Sequence, residues 1–516
     1  MSKTANRYER ETQALLSMRN LADQAFSRAA GAPLIAGNSI RLLLDAKENY
    51  PAWLDAIAAA QHYIHFESYI IHEDKIGWQF ADALIAKARE GVTVRVLYDW
   101  LGGLGKTSRS FWNHLRAGGV EVRCYNPPRL DSPLGWLSRD HRKTITVDGK
   151  VGYVTGLCVG QAWAGMPEKN IEPWRDTGIE VRGPSVVNIE QAFARVWDII
   201  GEPLPADEIA RYEMRAETGG VALRVVPSEP ASAVMLRVDQ LVATLARERL
   251  WLTDAYYAGT TLYVQALRAA AKDGVDVRLL VPSASDIPIV RPLSRAGYRP
   301  LLDAGVRIFE WNGTMLHAKT AVADGTWARV GSTNLNLASW YGNLELDVVV
   351  EDVPFAKEME ETYLRDLENS TEIVLDARRK VRAPGAPKHP AKAHPAVTSG
   401  GGAGGRAAAG AIRISNAVGA AFTNRRVLEP VEGRLMVLVG LLLLSLAVIG
   451  WIFPRGLSYP LVFVLAWTSL ALVYRGIKLW SEGHRRPGSD HETASPDTRK
   501  ETPVAAPVTK ERVKQP

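Results

Sequence analysis

The pattern His-x-Lys-x-x-x-x-Asp occurs twice in this chain, over residues 141–148 and again over residues 317–324. In a β-strand, residues i and i+2 point to the same face, so the histidine and the lysine of each copy would project together. These side chains are His141 and Lys143 in the first copy, and His317 and Lys319 in the second. Two imidazoles and two ammonium groups around one phosphate suit the cleavage of a phosphodiester without a metal, one histidine attacking phosphorus and the other protonating the leaving alcohol.

The sequence around the two motifs is repeated as well, which indicates a duplicated fold. Residues 91–97 (Gly-Val-Thr-Val-Arg-Val-Leu) match residues 274–280 (Gly-Val-Asp-Val-Arg-Leu-Leu). Each is a glycine followed by alternating β-branched residues after an Ala- and Leu-rich stretch, the pattern of a strand entered from a helix. The sequence therefore predicts an α/β fold of two duplicated halves, residues 33–205 and 222–375, with one shared active site.

The paired motifs and the repeat resemble the phospholipase D superfamily, and within it the bacterial cardiolipin synthases. The resemblance spans about residues 35–375 and includes Gly331–Asn334 after the second motif and Gly156 after the first. It also includes the segments Trp174–Asp176 and Asn343–Glu345.

The resemblance implies two phospholipase D-like halves and a phosphatidyl transferase. Such an enzyme joins two phosphatidylglycerol molecules, or phosphatidylglycerol and another phospholipid, through a phosphohistidine, with release of glycerol. By analogy with the family, His141 is expected to be the nucleophile and His317 the acid. The sequence alone does not decide between the two histidines, and no cofactor is expected.

The resemblance also implies roles for four carboxylates. Asp148 and Asp324 complete the catalytic motifs, and their expected role is structural. Glu345 and Asp176 are each expected to bind the second ring nitrogen of a histidine, which would fix its tautomer and basicity as in a catalytic triad.

The residues after the two motifs differ, which predicts unequal half-sites. Asn334 is expected to hold phosphate oxygens together with the lysines, and Ser332 belongs to the same set of phosphate-binding or supporting residues. In the first half, Cys158 stands where the family usually has Asn, and Thr155 where it usually has Gly. A thiol is a poor phosphate ligand compared with an amide.

Two other functions remain open at this point. One is hydrolysis of phospholipid, or less favourably of nucleic acid, by the same motifs; the choice depends on whether water is excluded while the phosphohistidine persists. The other is an inactive membrane scaffold, against which the two complete His/Lys pairs argue. The sequence predicts no metal site, because His62, His65 and His72 surround an apolar strand and are expected to pack or face solvent. Two cysteines do not make a disulfide framework.

The remaining composition favours a membrane partner over nucleic acid. The net charge of +6 suits either anionic surface. Two uncharged apolar runs, Leu435–Phe453 and Leu457–Tyr474, are each long enough to span a bilayer. From its N-terminus, the chain is predicted to form a helical segment (1–32), the two halves, a flexible basic linker (376–410), a juxtamembrane segment (411–434), a hairpin of two transmembrane helices (435–474) and a disordered tail (487–516).

Flanking charge predicts the orientation of this hairpin. Basic residues lie before and after it, whereas the turn carries only Arg455; the flanking residues are Arg425, Arg426, Arg434, Arg475, Lys478, Arg485 and Arg486. The positive-inside rule places both ends in the cytoplasm. We therefore expect a bacterial inner-membrane protein whose catalytic halves face anionic phospholipid on the cytoplasmic side. The sequence does not indicate an oligomeric state.

Overall fold

The computed structural model describes residues 22–128, 137–209, 216–287, 290–375 and 381–382, together with helical positions between 441 and 477. Contacts divide the chain into a unit of Met1–Leu457 and a unit of Ser458–Pro516. In the second unit, residues 462–470 are helical. All strands and catalytic motifs described below belong to the first unit.

The helices of the first unit that carry the fold are α1 (22–30), α2 (Asp45–Ala58), α3 (Lys75–Arg89), α4 (Trp100–Gly103), α5 (Arg109–Ala117), α6 (Gln161–Ala164), α7 (Val186–Ile199), α8 (Val234–Leu245), α9 (Thr261–Lys272), α10 (Val290–Ala296), α11 (Tyr298–Leu302) and α12 (Val353–Glu368). The strands are β1 (Ile35–Leu44), β2 (Tyr63–Ser68), β3 (Thr93–Asp99), β4 (Glu121–Tyr125), β5 (Arg139–Asp140), β6 (Lys143–Val147), β7 (Val151–Thr155), β8 (Thr177–Arg182), β9 (Val221–Ser228), β10 (Arg249–Thr253), β11 (Asp276–Pro282), β12 (Arg307–Trp311), β13 (Thr320–Ala323), β14 (Trp327–Gly331), β15 (Asn343–Glu351), β16 (Ser370–Leu375) and β17 (Val381–Arg382).

Two sheets with the same strand order confirm the predicted duplication. The first runs β4-β3-β2-β6-β7-β8-β1, with β2, β3 and β4 parallel and the other neighbours antiparallel. The second runs β12-β11-β10-β13-β14-β15-β9 with the same directions, and β16 and β17 extend its β12 edge. The N-terminal end of β1 also pairs with β9, so this strand joins the two sheets.

Three large apolar cores and a smaller cluster around Phe193 and Trp197 hold these elements together. One lies between the first sheet and α2, α3 and α5, and a second lies between the second sheet and α8, α9 and α11. The third joins the halves, because Ile179 and Val181 of the first sheet pack in one cluster with Val330, Leu346 and Val348 of the second. All five are buried. Since a fully buried aliphatic side chain contributes about 1.5–3 kcal/mol, this shared core opposes separation of the halves.

The last residue of each motif forms the turn of a β-hairpin. Asp148 and Gly149 connect β6 to β7 with φ of 51° and 57°, and Asp324 and Gly325 connect β13 to β14 with φ of 51° and 62°. Positive φ at both central residues is the requirement of a type I′ turn, for which Asp-Gly is a favoured pair.

The two motif carboxylates bind backbone amides beside the neighbouring strand. Asp148 accepts hydrogen bonds from the N–H groups of residues 61–63 at 2.8–2.9 Å. Asp324 accepts the three corresponding bonds from residues 247–249, each at 2.9 Å. Each motif aspartate thus ties its hairpin to the entrance of β2 or β10.

Several predicted segments lie outside the described residues. These are residues 1–21 of the N-terminal segment, most of the linker, the juxtamembrane segment and the tail. Most of the predicted transmembrane hairpin over 435–474 also lies outside them. The helices that are described include none with both the length and the apolarity needed to cross a membrane. The hairpin therefore stays a prediction that the described structure does not support.

We predict that Asp148→Ala lowers the free energy of unfolding by about 2 kcal/mol, because three backbone N–H groups at the entrance of β2, that of the buried Tyr63 among them, lose a charged acceptor. Urea unfolding of the variant beside wild type measures this loss. Asp273→Ala is the matched control, since Asp273 is exposed at the end of α9. Equal stability of the two variants would contradict a structural role for Asp148.

Candidate active site

The histidine of the first motif is held by the second half of the protein. Strand β5, which leads into His141, runs parallel to the start of β15. The backbone N–H of His141 donates to the carbonyl oxygen of Leu344 at 2.9 Å. Its Nδ1 lies 2.8 Å from Oε2 and 3.1 Å from Oε1 of Glu345, which is fully buried.

The histidine of the second motif is held by the first half in the same way. The backbone N–H of His317 donates to the carbonyl oxygen of Arg175 at 2.7 Å, and Arg175 forms a parallel bridge with Leu316. Nδ1 of His317 lies 2.7 Å from Oδ2 of Asp176, a residue with no exposed surface. The halves thus exchange carboxylates, each supplying the group that orients the histidine of the other.

This exchange leaves the same ring nitrogen available in both histidines. A carboxylate accepts the proton on Nδ1, so the lone pair of each neutral ring is on Nε2. Within the described residues, neither Nε2 atom has a hydrogen-bond partner. Both imidazoles therefore have the same tautomer, with the proton on Nδ1. In each ring the nitrogen that can react is Nε2, which lies on the side away from the carboxylate.

Burial sets the charges of these pairs. It lowers the pKa of His141, and together with the charge of Lys319 it lowers the pKa of His317 to about 3. Burial acts to raise the pKa of Glu345 and Asp176, but the partner histidine, the nearby motif lysine and further hydrogen bonds together outweigh burial and lower the pKa of each carboxyl below its usual value. Both pairs thus combine a neutral imidazole with a carboxylate at neutral pH.

Different side chains support the two carboxylates. Ser332 Oγ donates to Glu345 at 2.6 Å, and Nδ2 of Asn343 donates to it at 3.2 Å. Gly156 occupies the position of Ser332 in the first half, and a Cβ there would clash with the carboxylate of Asp176. Asp176 instead accepts a hydrogen bond from the indole Nε1 of Trp163 at 3.1 Å. The sequence did not reveal Trp163 as a site residue, because it belongs to no repeated spacing.

The two motif lysines are buried, each against the histidine of its own motif. The Nζ atoms of Lys143 and Lys319 donate to the carbonyl oxygens of His141 and His317 respectively, and Lys319 Nζ is also 2.9 Å from Nδ1 of His317. Burial lowers the pKa of Lys319 to about 8. Burial and the histidine's own motif lysine lower the pKa of each histidine most, and the lysine of the opposite half lowers it further, so both lysines lie near both histidines.

A tyrosine lies against each His/Lys pair. The ring of Tyr69 meets His141 edge-to-face at 5.0 Å, and the ring of Tyr256 meets His317 at 5.7 Å. The ammonium groups of the lysines lie 5.3 Å and 5.8 Å from the centres of these rings. Such cation–π contacts offset part of the cost of burying a charged lysine.

The two half-sites have different side chains at the position that follows the motif. Asn334 is buried, and its Oδ1 has no hydrogen-bond partner among the described residues. The loop around it is fixed by Asp254, which accepts the N–H of Leu335 at 2.7 Å. Cys158 is buried at the matching position, where burial raises the pKa of its thiol and the charges of both lysines oppose that rise. A buried amide thus stands at this position in one half and a buried thiol in the other.

The motif aspartates are not part of this cluster. Asp148 and Asp324 lie at the far ends of their hairpins, where their carboxylates bind the backbone amides described above. The described residues also hold no group of three histidine, cysteine, aspartate or glutamate side chains suited to a metal ion.

Comparison with known proteins identifies relatives over most of the described unit. Residues 53–197 and 242–367 match the sequence family described as cardiolipin synthase, PLD-like domain. A cardiolipin synthase of Alkalihalophilus pseudofirmus is 33% identical over 345 residues, which cover 66% of this chain and 68% of the relative. Cardiolipin synthase A of Pseudomonas aeruginosa is 34% identical over 369 residues, covering 70% and 73% of the two chains.

A solved structure shares the fold. The phosphatidylserine synthase of Haemophilus influenzae superposes with a TM-score of 0.55 at 14% identity, over 68% of this chain and 91% of that one. At this identity the likeness concerns the fold alone.

We predict that His317 stays neutral, with its proton on Nδ1, between about pH 5 and 8, because its pKa is about 3 instead of the usual 6.5. NMR spectra of protein labelled with nitrogen-15 histidine, recorded across this pH range, test the prediction. The His317→Gln variant identifies the resonance. A titration of that resonance with a midpoint near pH 6.5 would show that burial and Lys319 do not control the ring.

Proposed function

Because this chain belongs to the cardiolipin synthase family of phospholipase D-like proteins, and is an enzyme of the phospholipase D superfamily, we propose that it makes cardiolipin. It transfers the phosphatidyl group of one phosphatidylglycerol molecule to a hydroxyl of a second and releases glycerol. The observation that carries the proposal is the exchange of carboxylates, by which two oriented histidines share one site. The names of the relatives support the lipid substrate.

In the first step, Nε2 of His141 attacks the phosphorus of phosphatidylglycerol. A P–N bond forms, the bond between phosphorus and the glycerol oxygen breaks, and His317 donates the proton of its Nε2 to that oxygen. His317 must gain this proton before the step. The negative charge of an arriving phosphodiester favours it, because an adjacent anion raises the pKa of an imidazole.

In the second step, the neutral His317 takes the proton from a hydroxyl of the second lipid. The hydroxyl oxygen attacks phosphorus, the P–N bond breaks, and His141 is restored. Glu345 and Asp176 keep both rings in position and stabilise the positive charge that each ring carries in turn. The same two histidines therefore serve both steps: His317 donates a proton in the first step and takes one in the second.

The two lysines and Asn334 stabilise the phosphate during both steps. Charge grows on the non-bridging oxygens as the nucleophile approaches, and buried donors aimed at these oxygens act strongly because the site contains little water. Lys143, Lys319 and Asn334 are buried, and their ammonium and amide groups are the required donors. Cys158 contributes no comparable donor, so the lysines alone stabilise the non-bridging phosphate oxygen on that side.

We also propose where the enzyme acts. The two halves comprise residues 33–205 and 222–375, and the C-terminal region attaches them to the cytoplasmic face of the bacterial inner membrane. The motifs for this attachment are the basic linker (376–410), the apolar runs within 435–474 and the basic residues that flank them. Phospholipid of the adjacent leaflet then supplies both substrates.

The reaction is tested with full-length protein in nanodiscs that contain phosphatidylglycerol, with cardiolipin and free glycerol measured by mass spectrometry. We predict equal amounts of the two products. His141→Ala and His317→Ala each lower the rate by at least about a thousandfold, since loss of either member of a catalytic pair removes most of the rate. Asp273→Ala serves as the matched control and keeps the wild-type rate.

Other products would point to other functions. Phosphatidic acid without cardiolipin would make the protein a phospholipase that transfers to water. Activity on nucleic acid but on no lipid would make it a nuclease, and no turnover of either substrate would favour a scaffold.

A further inference from the structure

One carboxylate beside the tyrosine that contacts His317 has no role in the reaction described so far. Asp286 lies in the segment that follows β11, and its side chain is exposed. Its Oδ1 accepts a hydrogen bond from the hydroxyl of Tyr256 at 2.9 Å, and Ser285 Oγ lies 3.4 Å from the same oxygen. An exposed carboxylate held by two hydroxyls has a fixed position and keeps its second oxygen available to a ligand.

Tyr256 connects this carboxylate to the catalytic groups. Its ring lies edge-on to His317 and beside the ammonium group of Lys319, so one side chain spans from the catalytic histidine to Asp286. Removal of water by the surrounding protein raises the pKa of Asp286, while the hydrogen bond from Tyr256 and the charge of Lys319 act against this rise. Asp286 is thus close enough to the catalytic lysine to be influenced by its charge.

The first half has a different structure beside its own tyrosine. The segment after β3 is the short helix α4, and its Gly102 packs so closely on the carbonyl oxygen of Tyr69 that a Cβ would clash. Among the described residues, no carboxylate accepts a hydrogen bond from the hydroxyl of Tyr69. Within the part of the chain that the structure describes, such a carboxylate therefore accompanies the tyrosine of only one half, the half whose histidine transfers protons in the proposed function.

We propose that Asp286, positioned by Tyr256, recognises the glycerol hydroxyls of the alcohol that exchanges its proton with His317. This inference rests on the proposed function, in which the leaving glycerol and the accepting glycerol occupy the same place in successive steps. One hydroxyl of the glycerol supplies the oxygen that is bonded to phosphorus, and the neighbouring hydroxyl donates a hydrogen bond to Asp286. Water has no second hydroxyl at that distance, so the carboxylate favours transfer to a glycerol head group over hydrolysis.

The test measures which alcohol receives the phosphatidyl group. Full-length protein in phosphatidylglycerol nanodiscs is given deuterated glycerol, ethanolamine or 1-propanol, and the exchanged lipids are measured by mass spectrometry. We expect Asp286→Ala to lower the ratio of glycerol to propanol incorporation by about tenfold, the usual effect of losing one hydrogen bond to a charged group. Tyr256→Phe lowers the ratio less, because the carboxylate remains but is no longer oriented.

Control variants and distinct outcomes separate this inference from the proposed function. Asp273→Ala, which removes an exposed carboxylate at the end of α9, leaves the ratio at the wild-type value. An unchanged ratio in Asp286→Ala, with transfer intact, overturns the inference alone. A greater loss of ethanolamine than of glycerol incorporation overturns it too, because the carboxylate would then recognise a cationic head group. Failure of wild type to transfer to any alcohol overturns both proposals.

Discussion

The exchange of carboxylates between the two halves is the interaction on which the site depends. His141 is oriented by Glu345 and His317 by Asp176, with Nδ1-to-oxygen distances of 2.8 Å and 2.7 Å. Among the described residues, neither catalytic histidine pairs with a carboxylate of its own half. The apolar cluster between β7–β8 and β14–β15 is therefore a requirement of the chemistry as well as of stability, because it keeps each carboxylate against the opposite histidine. Burial then makes each pair costly to break, since a lone carboxylate would remain in a dry interior.

A twofold arrangement gives two histidines with the same geometry, but the proposed reaction needs them to act differently. The supporting residues supply that difference. Ser332 and Gly156 occupy one matching pair of positions, and Asn334 and Cys158 occupy another. Asp286 is present on the His317 side, where the first half has α4 instead. The duplicated halves thus position both histidines. In the proposed reaction, the residues that differ between the halves distinguish the histidine that exchanges a proton with the alcohol from the histidine that binds phosphorus.

Much of this arrangement could be predicted from the sequence because it repeats. The alternation of a strand indicates that His141 and Lys143 share a face, and the repeated glycine–strand pattern predicts two α/β halves, which the sheets confirm. The family resemblance implied that Glu345 and Asp176 bind histidines, yet it did not indicate which histidine each would bind. That pairing depends on how two sheets dock, and no local pattern records the docking.

Other contacts carry no sequence signal at all. Trp163 supports Asp176 through its indole N–H, and Asp286 accepts a hydrogen bond from Tyr256, but neither contact has a counterpart in the other half among the described residues. The departure at Cys158 was visible because the opposite half supplies an internal reference at Asn334. The membrane hairpin shows the opposite case: its apolar runs are evident in the sequence, while the described residues include no spanning helix.

The central claim is that two cross-oriented histidines act in sequence at one phosphorus, and a lipid with a good leaving group tests it most directly. A phosphatidyl p-nitrophenol substrate needs no acid for the first step, so release of p-nitrophenol reports nucleophilic attack alone. We predict that His317→Asn releases one equivalent per site and then stops, with the phosphatidyl group attached to the peptide that contains His141. His141→Asn releases none. A burst from His141→Asn, or a labelled His317, would contradict the assignment of roles.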